Sequence, residues 1–186
     1  MGHLYQGKVF ISPSLNKQKD IDNELKLIIE AFKTYWRTGF HQDLGKDVPF
    51  HRPEYMVQSA IRHIHLRPIF YDAKWSKCFE HLAFYRRPPS DRWLTYCVTT
   101  SRNCLLISYM DKNAHTQANN ITTLAELMKA AEWFFKEINE FPLDENQQVG
   151  LFSDKWLLPP QGNRELCIFF NQRGVDCETH HSIQLV

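Results

Sequence analysis

Two histidines, His63 and His65, stand two positions apart in a stretch, residues 59–67, where apolar and polar side chains alternate. This alternation predicts a β-strand that carries both imidazoles on one face. If the apolar face packs on helices, both imidazoles lie on the open face of the sheet. Such a pair can act as general acid and base or as two metal ligands, and two half-exposed surface histidines without a chemical role are the simplest alternative.

A metal site at this pair would need at least a third ligand. Cys78, His81 or His115 could supply it only through folding, and no ligand spacing in the chain is typical of a zinc site. The sequence therefore predicts no bound metal and no other cofactor.

An arginine-rich turn follows in the middle of the chain. Arg86, Arg87 and Arg92 flank a Pro-Pro dipeptide, and Asp91 lies among them. Guanidinium groups held at a strand end can bind a phosphate through paired hydrogen bonds. A solvated, charged loop with a local Arg–Asp ion pair is the alternative. His115 follows the last predicted strand and would join these groups if the strand ends meet at one edge of the sheet.

Histidine, arginine and aspartate side chains together suit metal-independent cleavage of RNA. The 2′-hydroxyl must lose a proton to attack the adjacent phosphorus, and the 5′-oxygen that leaves must gain one. Histidine, with an ordinary pKa of about 6.5, serves both steps near neutral pH. The sequence contains no Walker loop, GxSxG, HExxH or GxGxxG motif, so the common nucleotide-hydrolase, esterase, zinc-protease and dinucleotide-binding classes lack support.

The charge of the chain is unevenly distributed. The formal net charge is +1, but residues 51–115 carry a net +5 and residues 116–186 a net −5. A basic central segment is the pattern expected of a surface that meets nucleic-acid phosphates. The neutral total therefore does not exclude a nucleic-acid partner.

The order of predicted elements indicates an α+β domain with one mainly antiparallel sheet packed against helices. The predicted strands cover residues 7–12, 59–67, 79–86, 93–99 and 103–111, with a possible edge strand at residues 165–170; the predicted helices cover residues 20–38 and 123–139. A hairpin joins the strands at residues 93–99 and 103–111, and residues 43–50 are predicted to form a loop. Asp20 or Asp22 would cap the first helix and Gly39 would end it, while Thr123 and Glu126 resemble a capping box for the second.

Residues 1–140 are predicted to form the main domain, and residues 141–186 a C-terminal extension of unknown role that is too short for a core of its own. The chain has no apolar run long enough to cross a membrane and no secretory pattern at its N-terminus. Its five cysteines are odd in number and several lie in apolar runs, which predicts reduced, buried thiols. Together these features predict a cytoplasmic protein without a membrane partner.

Residues 8–134, about two-thirds of the chain, resemble the YafO family of bacterial type II toxins, which are ribosome-dependent mRNA interferases of the broader RelE/ParE-like group. The landmarks follow the family order. They are Tyr-Trp-Arg-Thr-Gly at residues 35–39, Leu-Gly-Lys-Asp at 44–47, His-Ile-His-Leu at 63–66, Arg87, Leu-Thr-Tyr-Cys at 94–97, Leu-Leu-Ile at 105–107, His115, and Ala-Glu at 131–132 near Phe134.

The resemblance implies a RelE-like domain whose sheet face meets mRNA in the ribosomal A site. It also implies a cognate antitoxin that binds and neutralises the toxin. The catalytic residues that it implies are His63, His65, Arg87 and His115, to which we add Asp91 because an acidic residue stands at the same turn. His65 or His115 would exchange protons while Arg87 binds the scissile phosphate.

Four further basic residues are predicted to bind RNA or the ribosome: Lys46, Arg62, Arg86 and Arg92. The alternative function is that of a non-catalytic RelE/ParE-like binding protein that inhibits the ribosome or DNA gyrase. The sequence leaves open which histidine is acid and which is base, the antitoxin's identity and the oligomeric state.

Overall fold

A single five-stranded sheet organises the protein in a computed structural model, which describes residues 4–70, 73–80 and 87–159. The strands are β1 (Val9–Ile11), β2 (Leu44–Pro49), β3 (Ile61–Leu66), β4 (Trp93–Val98) and β5 (Cys104–Met110). Their order across the sheet is β1-β5-β4-β3-β2. Only β1 and β5 pair in parallel; the other three pairs are antiparallel. The α+β prediction with one mainly antiparallel sheet is therefore confirmed.

Helices connect these strands and cover the sheet. They are α1 (Pro13–Ile21), α2 (Asn23–Thr38), α3 (Glu54–Gln58), α4 (Ala73–Glu80), α5 (Ala114–Gln117), α6 (Ile121–Glu137) and α7 (Glu145–Gln148), followed by a 3-10 helix (Asp154–Trp156).

Both faces of the sheet are buried, each in its own apolar cluster. On one face α2 packs through residues such as Phe32 and Trp36 against Ile64 of β3. On the other face α6 packs through residues such as Phe134 against Ile61 of the same strand. The expectation that His63 and His65 face an open side of the sheet is therefore wrong, because helices and loops lie on both sides.

The first predicted helix is two helices that meet at Asp22. The Asp22 backbone N–H donates to Gln18 and ends α1, while its carboxylate accepts from the Leu25 N–H at 3.0 Å and begins α2. One aspartate thus serves as the boundary of both helices. Gly39 ends α2 as predicted, with a φ of 78° that favours glycine. Pro13, the residue after the first predicted strand, starts α1, where its missing N–H is not needed.

The predicted loop at residues 43–50 is instead the edge strand β2. Its pairing with β3 is interrupted by a bulge between Leu44 and Asp47, and Pro49 closes it. Edge strands accept proline and bulges because one of their sides makes no ladder hydrogen bonds. The glycine, aspartate and proline of this segment are typical of a turn, and for this reason the sequence did not predict the strand.

The strands predicted around the histidine pair and in the hairpin are confirmed as β3, β4 and β5, with ends shifted by one or two residues. The strand predicted at residues 79–86 is not confirmed at its start, since Phe79 and Glu80 close α4. Its remainder, residues 81–86, lies outside the described residues, as does the edge strand predicted at residues 165–170.

The second predicted helix is confirmed as α6, but its N-cap differs. Asn120 caps it by accepting from the N–H groups of Thr122 and Thr123. The capping box expected from Thr123 and Glu126 is therefore wrong, because the helix begins about one turn earlier than predicted.

Residues 141–159 pack against the α2 side of the sheet. Leu143, Leu151 and Trp156 are buried in the same apolar cluster as α2. Arg102, fully buried, donates to the carbonyls of Trp36 and Leu151 and so ties this segment to the end of α2. Burial lowers the pKa of Arg102 to about 10. The first part of the predicted extension is thus continuous with the core.

Cys97 and Cys104 are free, buried thiols, as predicted, and burial raises the pKa of both. Within the described part of the chain, no helix is both long and apolar enough to cross a membrane.

Candidate active site

The predicted histidine pair lies on β3 on the face that α6 covers. His63 pairs across the sheet with Thr95 and His65 with Trp93. His63 is only 8% exposed and His65 4%. The prediction that both imidazoles share one face is confirmed by the alternation of the strand, but both rings are buried rather than open to solvent.

His63 is packed among aromatic rings. It stacks on Trp93 with 3.8 Å between ring centroids and meets Phe50 edge-on at 5.1 Å. Its Nδ1 is buried and has no hydrogen-bond partner among the described residues. Burial, reinforced by the nearby charge of His65, lowers the pKa of His63 to about 3. The ring is therefore neutral at physiological pH.

His65 is held at Nδ1 by Ser90 and Trp93. The Ser90 N–H donates to Nδ1 at 2.8 Å and the Trp93 indole N–H at 3.1 Å, while the Ser90 carbonyl lies 2.7 Å from the same nitrogen. Ser90 can therefore pair with Nδ1 whether that nitrogen carries a lone pair or a proton. Burial lowers the pKa of His65, and the hydrogen bond with Ser90 acts in the opposite direction.

Asp91 orients His115, which stands in the first turn of α5. One carboxylate oxygen lies 2.6 Å from the imidazole Nδ1 and accepts from the His115 backbone N–H at 2.9 Å. The hydrogen bond from that backbone N–H, together with the imidazole contact, lowers the pKa of Asp91. Both side chains are at least half exposed. Because Nδ1 faces the carboxylate, Nε2 is the nitrogen available for exchange with a ligand.

The two histidines and the Asp91–His115 pair converge around one indole. Trp93 lies 5.4 Å from His65 and 4.6 Å from His115, measured between ring centroids, and the two imidazoles are 6.2 Å apart. We call His63, His65, Asp91, Trp93 and His115 the histidine cluster. It joins a buried imidazole, His65, to an exposed one, His115, at a spacing suited to proton exchange on either side of one phosphate group.

The other predicted basic residues lie elsewhere. Arg92 is 8% exposed and its guanidinium binds the carboxylates of Glu24 and Asp111. Arg62, whose side chain points to the α2 side of the sheet, forms a buried salt bridge with Asp47 at 3.1 Å. Lys46 is exposed on β2. Arg86 lies outside the described residues.

Arg87 is not brought into contact with the histidine cluster. One of its terminal nitrogens donates to the Gly39 carbonyl at the end of α2, and its guanidinium lies over the Tyr35 ring, 4.9 Å from the centroid. The structure thus separates the predicted site into the histidine cluster on one side of the sheet and Arg87 on the side of α2.

Sequence reasoning missed Trp93, Ser90 and the polar network around Asp47. Trp93 lies directly across from His65 on the neighbouring strand. Pairing the two predicted strands in the correct register would have placed the indole beside this histidine. The network, in which Tyr35 and Tyr96 both donate to Asp47 at 2.7 Å, draws on α2, β2 and β4 and has no local sequence pattern.

The described residues include no group of three or more histidine, cysteine, aspartate or glutamate side chains arranged to hold a metal ion.

The fold and the cluster define a small α+β protein with a carboxylate-oriented histidine beside a second, buried one. Residues 33–136, more than half of the chain, match the family model described as toxin YafO of type II toxin-antitoxin systems. The chain belongs to this YafO toxin family. Membership implies a toxin role and a cognate antitoxin as partner. No curated protein and no solved structure shows significant similarity to the chain.

Proposed function

We propose that this toxin is a ribosome-dependent endoribonuclease that cleaves translated mRNA in the cytoplasm. The observation that carries the proposal is the histidine cluster, in which two imidazoles lie 6.2 Å apart and one of them is oriented by a carboxylate. The cluster falls within the part of the chain that matches the toxin family.

In this proposal His65 is the general base. Burial lowers its pKa, which keeps it neutral and able to accept a proton near neutral pH. When the Nδ1 N–H donates to the Ser90 carbonyl at 2.7 Å, the ring is held in place and Nε2 carries the lone pair that accepts the proton. His65 takes the proton of the 2′-hydroxyl as the 2′-oxygen attacks the adjacent phosphorus.

His115 is the general acid. The Asp91 carboxylate oxygen, 2.6 Å from Nδ1, fixes the orientation of the ring and leaves Nε2 facing the ligand. His115 gives a proton to the 5′-oxygen as the bond between phosphorus and that oxygen breaks. The products are a 2′,3′-cyclic phosphate and a new 5′-hydroxyl end, and no net proton is consumed.

His63 positions the cluster and takes no part in proton exchange. With a pKa of about 3 it does not carry a proton at neutral pH, whereas its stacking on Trp93 fixes the indole that contacts both His65 and His115. The cluster lies within residues 1–140, which we propose as the toxin domain, with residues 141–186 as its C-terminal extension.

The experiment compares His65→Ala and His115→Ala with wild type on a translated reporter mRNA, with RNA ends mapped by primer extension. General acid–base catalysis contributes about 10²–10⁴-fold, so each variant should lose cleavage by that factor. His41→Ala is the matched control, because His41 also lies near an aspartate, Asp43, but outside the cluster. The same reporter without its start codon tests ribosome dependence.

Two outcomes would contradict the proposal. Cleavage at wild-type rates by both variants would exclude the histidine cluster as the site. Arrest of translation by the wild-type protein without any new RNA ends would favour the alternative of a binding protein that inhibits the ribosome or DNA gyrase.

A further inference from the structure

A cavity of about 290 Å³ lies on the α2 side of the sheet, away from the histidine cluster. The residues that determine its chemistry are Tyr35, Lys46, Asp47, Arg62, Arg87 and Phe152. Three of these six side chains are cationic and one is anionic, so the cavity combines an excess of positive charge with aromatic walls.

The single carboxylate of the cavity is fully engaged. Asp47 accepts from Arg62 at 3.1 Å and from the Tyr35 hydroxyl at 2.7 Å. Tyr96 also donates to it at 2.7 Å. Burial alone would lower the pKa of Arg62, but the Asp47 charge more than offsets this and raises it, so Arg62 stays charged beside the carboxylate. The positive charges of Lys46 and Arg87 therefore have no carboxylate partner among the residues that line the cavity.

Arg87 is fixed in place with one edge of its guanidinium unused. The hydrogen bond to Gly39 and the Tyr35 ring hold the group, while its other terminal nitrogen is buried without a hydrogen-bond partner among the described residues. No carboxylate of the described residues forms an ion pair with Arg87 or Lys46. A buried, unpaired donor on a charged group is costly unless an acceptor occupies the site.

We infer that this cavity binds a phosphate group through Arg87 and Lys46. The unsatisfied terminal nitrogen of Arg87 supplies charge-assisted N–H donors for a phosphate oxygen, and the lysine adds a point charge. The two positive charges together balance the charge of a phosphate monoester. They exceed the single negative charge of a backbone phosphodiester, which the site could also bind. The source is either a free phosphate compound or the RNA backbone, and the second source rests on the proposed function.

The position of Arg87 in the chain gives this site a connection to the histidine cluster. Arg87 begins a short segment in which Pro88 accepts from the Lys46 backbone N–H, Ser90 holds His65 and Asp91 holds His115. A phosphate bound at Arg87 would therefore anchor the start of the segment that orients both imidazoles.

The test measures binding in the full chain carrying His115→Ala, which allows the toxin to be produced. Isothermal titration calorimetry with inorganic phosphate, at constant ionic strength, should show saturable binding that Arg87→Gln and Lys46→Gln each weaken about tenfold or more. Lys129→Gln on the exposed side of α6 is the matched control and should bind as the parent does. Thermal unfolding by circular dichroism verifies that each variant is folded.

The outcomes separate the alternatives. Absence of phosphate binding, equal binding by the folded Arg87→Gln variant, or equal affinity for acetate would overturn the inference. A short single-stranded RNA that competes with phosphate and is weakened by Arg87→Gln identifies the RNA backbone as the source; RNA binding that ignores Arg87→Gln while phosphate binding is lost identifies a free phosphate compound. Phosphate binding is measured without cleavage, so a protein that binds no phosphate could still cleave mRNA. Likewise, a protein that does not cleave mRNA could still bind phosphate.

Discussion

A single oxygen of the Asp91 carboxylate contacts both the imidazole and the backbone N–H of His115, at 2.6 and 2.9 Å. The double contact fixes the ring relative to its own backbone, although both side chains are at least half exposed. This double contact and the Trp93 ring, 4.6 Å from the imidazole between centroids, hold an exposed histidine in one orientation. Asp91 is therefore the residue through which the proposed acid can be tested without removing it.

Asp91→Asn should reduce mRNA cleavage less than His115→Ala does, and Asp91→Ala should reduce it more than Asp91→Asn. The asparagine oxygen can still accept both hydrogen bonds, but the negative charge of the carboxylate beside the ring is lost. The initial rate of appearance of new RNA ends in a purified translation reaction measures the effect. Asp154→Asn, at an exposed position, is the control. Wild-type rates in both Asp91 variants would show that the pair has no part in the reaction.

Gly45→Ala should impair cleavage although Gly45 touches neither histidine. A Cβ at this position would collide with the Pro88 carbonyl and with the Trp75 ring, so the segment that carries Ser90 and Asp91 must move. Small displacements of catalytic groups cost about 100-fold in rate, and we expect a loss of about 10- to 100-fold. Gly150→Ala is the matched control, because its Cβ would make only ordinary contacts. Equal cleavage rates in the two alanine variants would contradict the role of this segment.

His63 should make the protein less stable as the pH falls. Its pKa is about 3 in the folded protein and about 6.5 ordinarily, so between these values the unfolded chain binds a proton that the folded chain does not. The free energy of unfolding therefore decreases as the pH falls from about 6.5 towards 3, and the contribution of His63 is fully favourable only above that window. Its neighbour His65, whose pKa is also lowered, acts in the same direction.

His63→Phe keeps an aromatic ring at this site and should flatten the pH dependence of stability. Urea unfolding at pH 7 and pH 5 measures the difference in the free energy of unfolding for wild type and variant. His41→Phe, at a histidine outside the cluster, should leave the wild-type difference unchanged. An identical pH dependence in wild type and His63→Phe would mean that folding does not lower the pKa of His63.

Asp47→Ala should destabilise the protein by about 3–5 kcal/mol, because it leaves Arg62 buried without its carboxylate. It also removes the acceptor of the Tyr35 and Tyr96 hydroxyls. Adding Arg62→Met should recover part of the loss, because an apolar side chain then replaces the uncompensated charge. Urea unfolding of the single and double variants gives the coupling energy. A double variant less stable than Asp47→Ala alone would contradict this account of the pair.

Strong local patterns predicted most of the fold. Alternation at residues 59–67 identified β3, the short gap at residues 100–102 identified the β4–β5 hairpin, and Gly39 marked the end of α2. The predictions failed at elements whose secondary structure depends on contacts with distant parts of the chain. Edge strand β2 has turn-like residues, and Asp22 divides one continuous periodic pattern into two helices by capping both.

The site was predictable by residue type but not by arrangement. His65, Asp91 and His115 do come together, because β3 and β4 pair in the expected sense and the loop before β4 reaches α5. Arg62 instead forms a buried ion pair with Asp47. Arg92, itself buried, forms ion pairs with Glu24 and Asp111. A net charge counted along the chain cannot distinguish a guanidinium that faces a ligand from one that is already paired, since the partner comes from a distant element.

The alternation of β3 has a consequence for genetics. Arg62 and Ile64 belong to the buried α2 side, whereas His63 and His65 belong to the histidine cluster. In a selection for cells that survive expression of this toxin, neighbouring codons would then yield escape mutants of two kinds. Changes at the even-numbered positions would reduce the amount of intact protein, whereas under the proposed function a change at His65 would act by reducing cleavage.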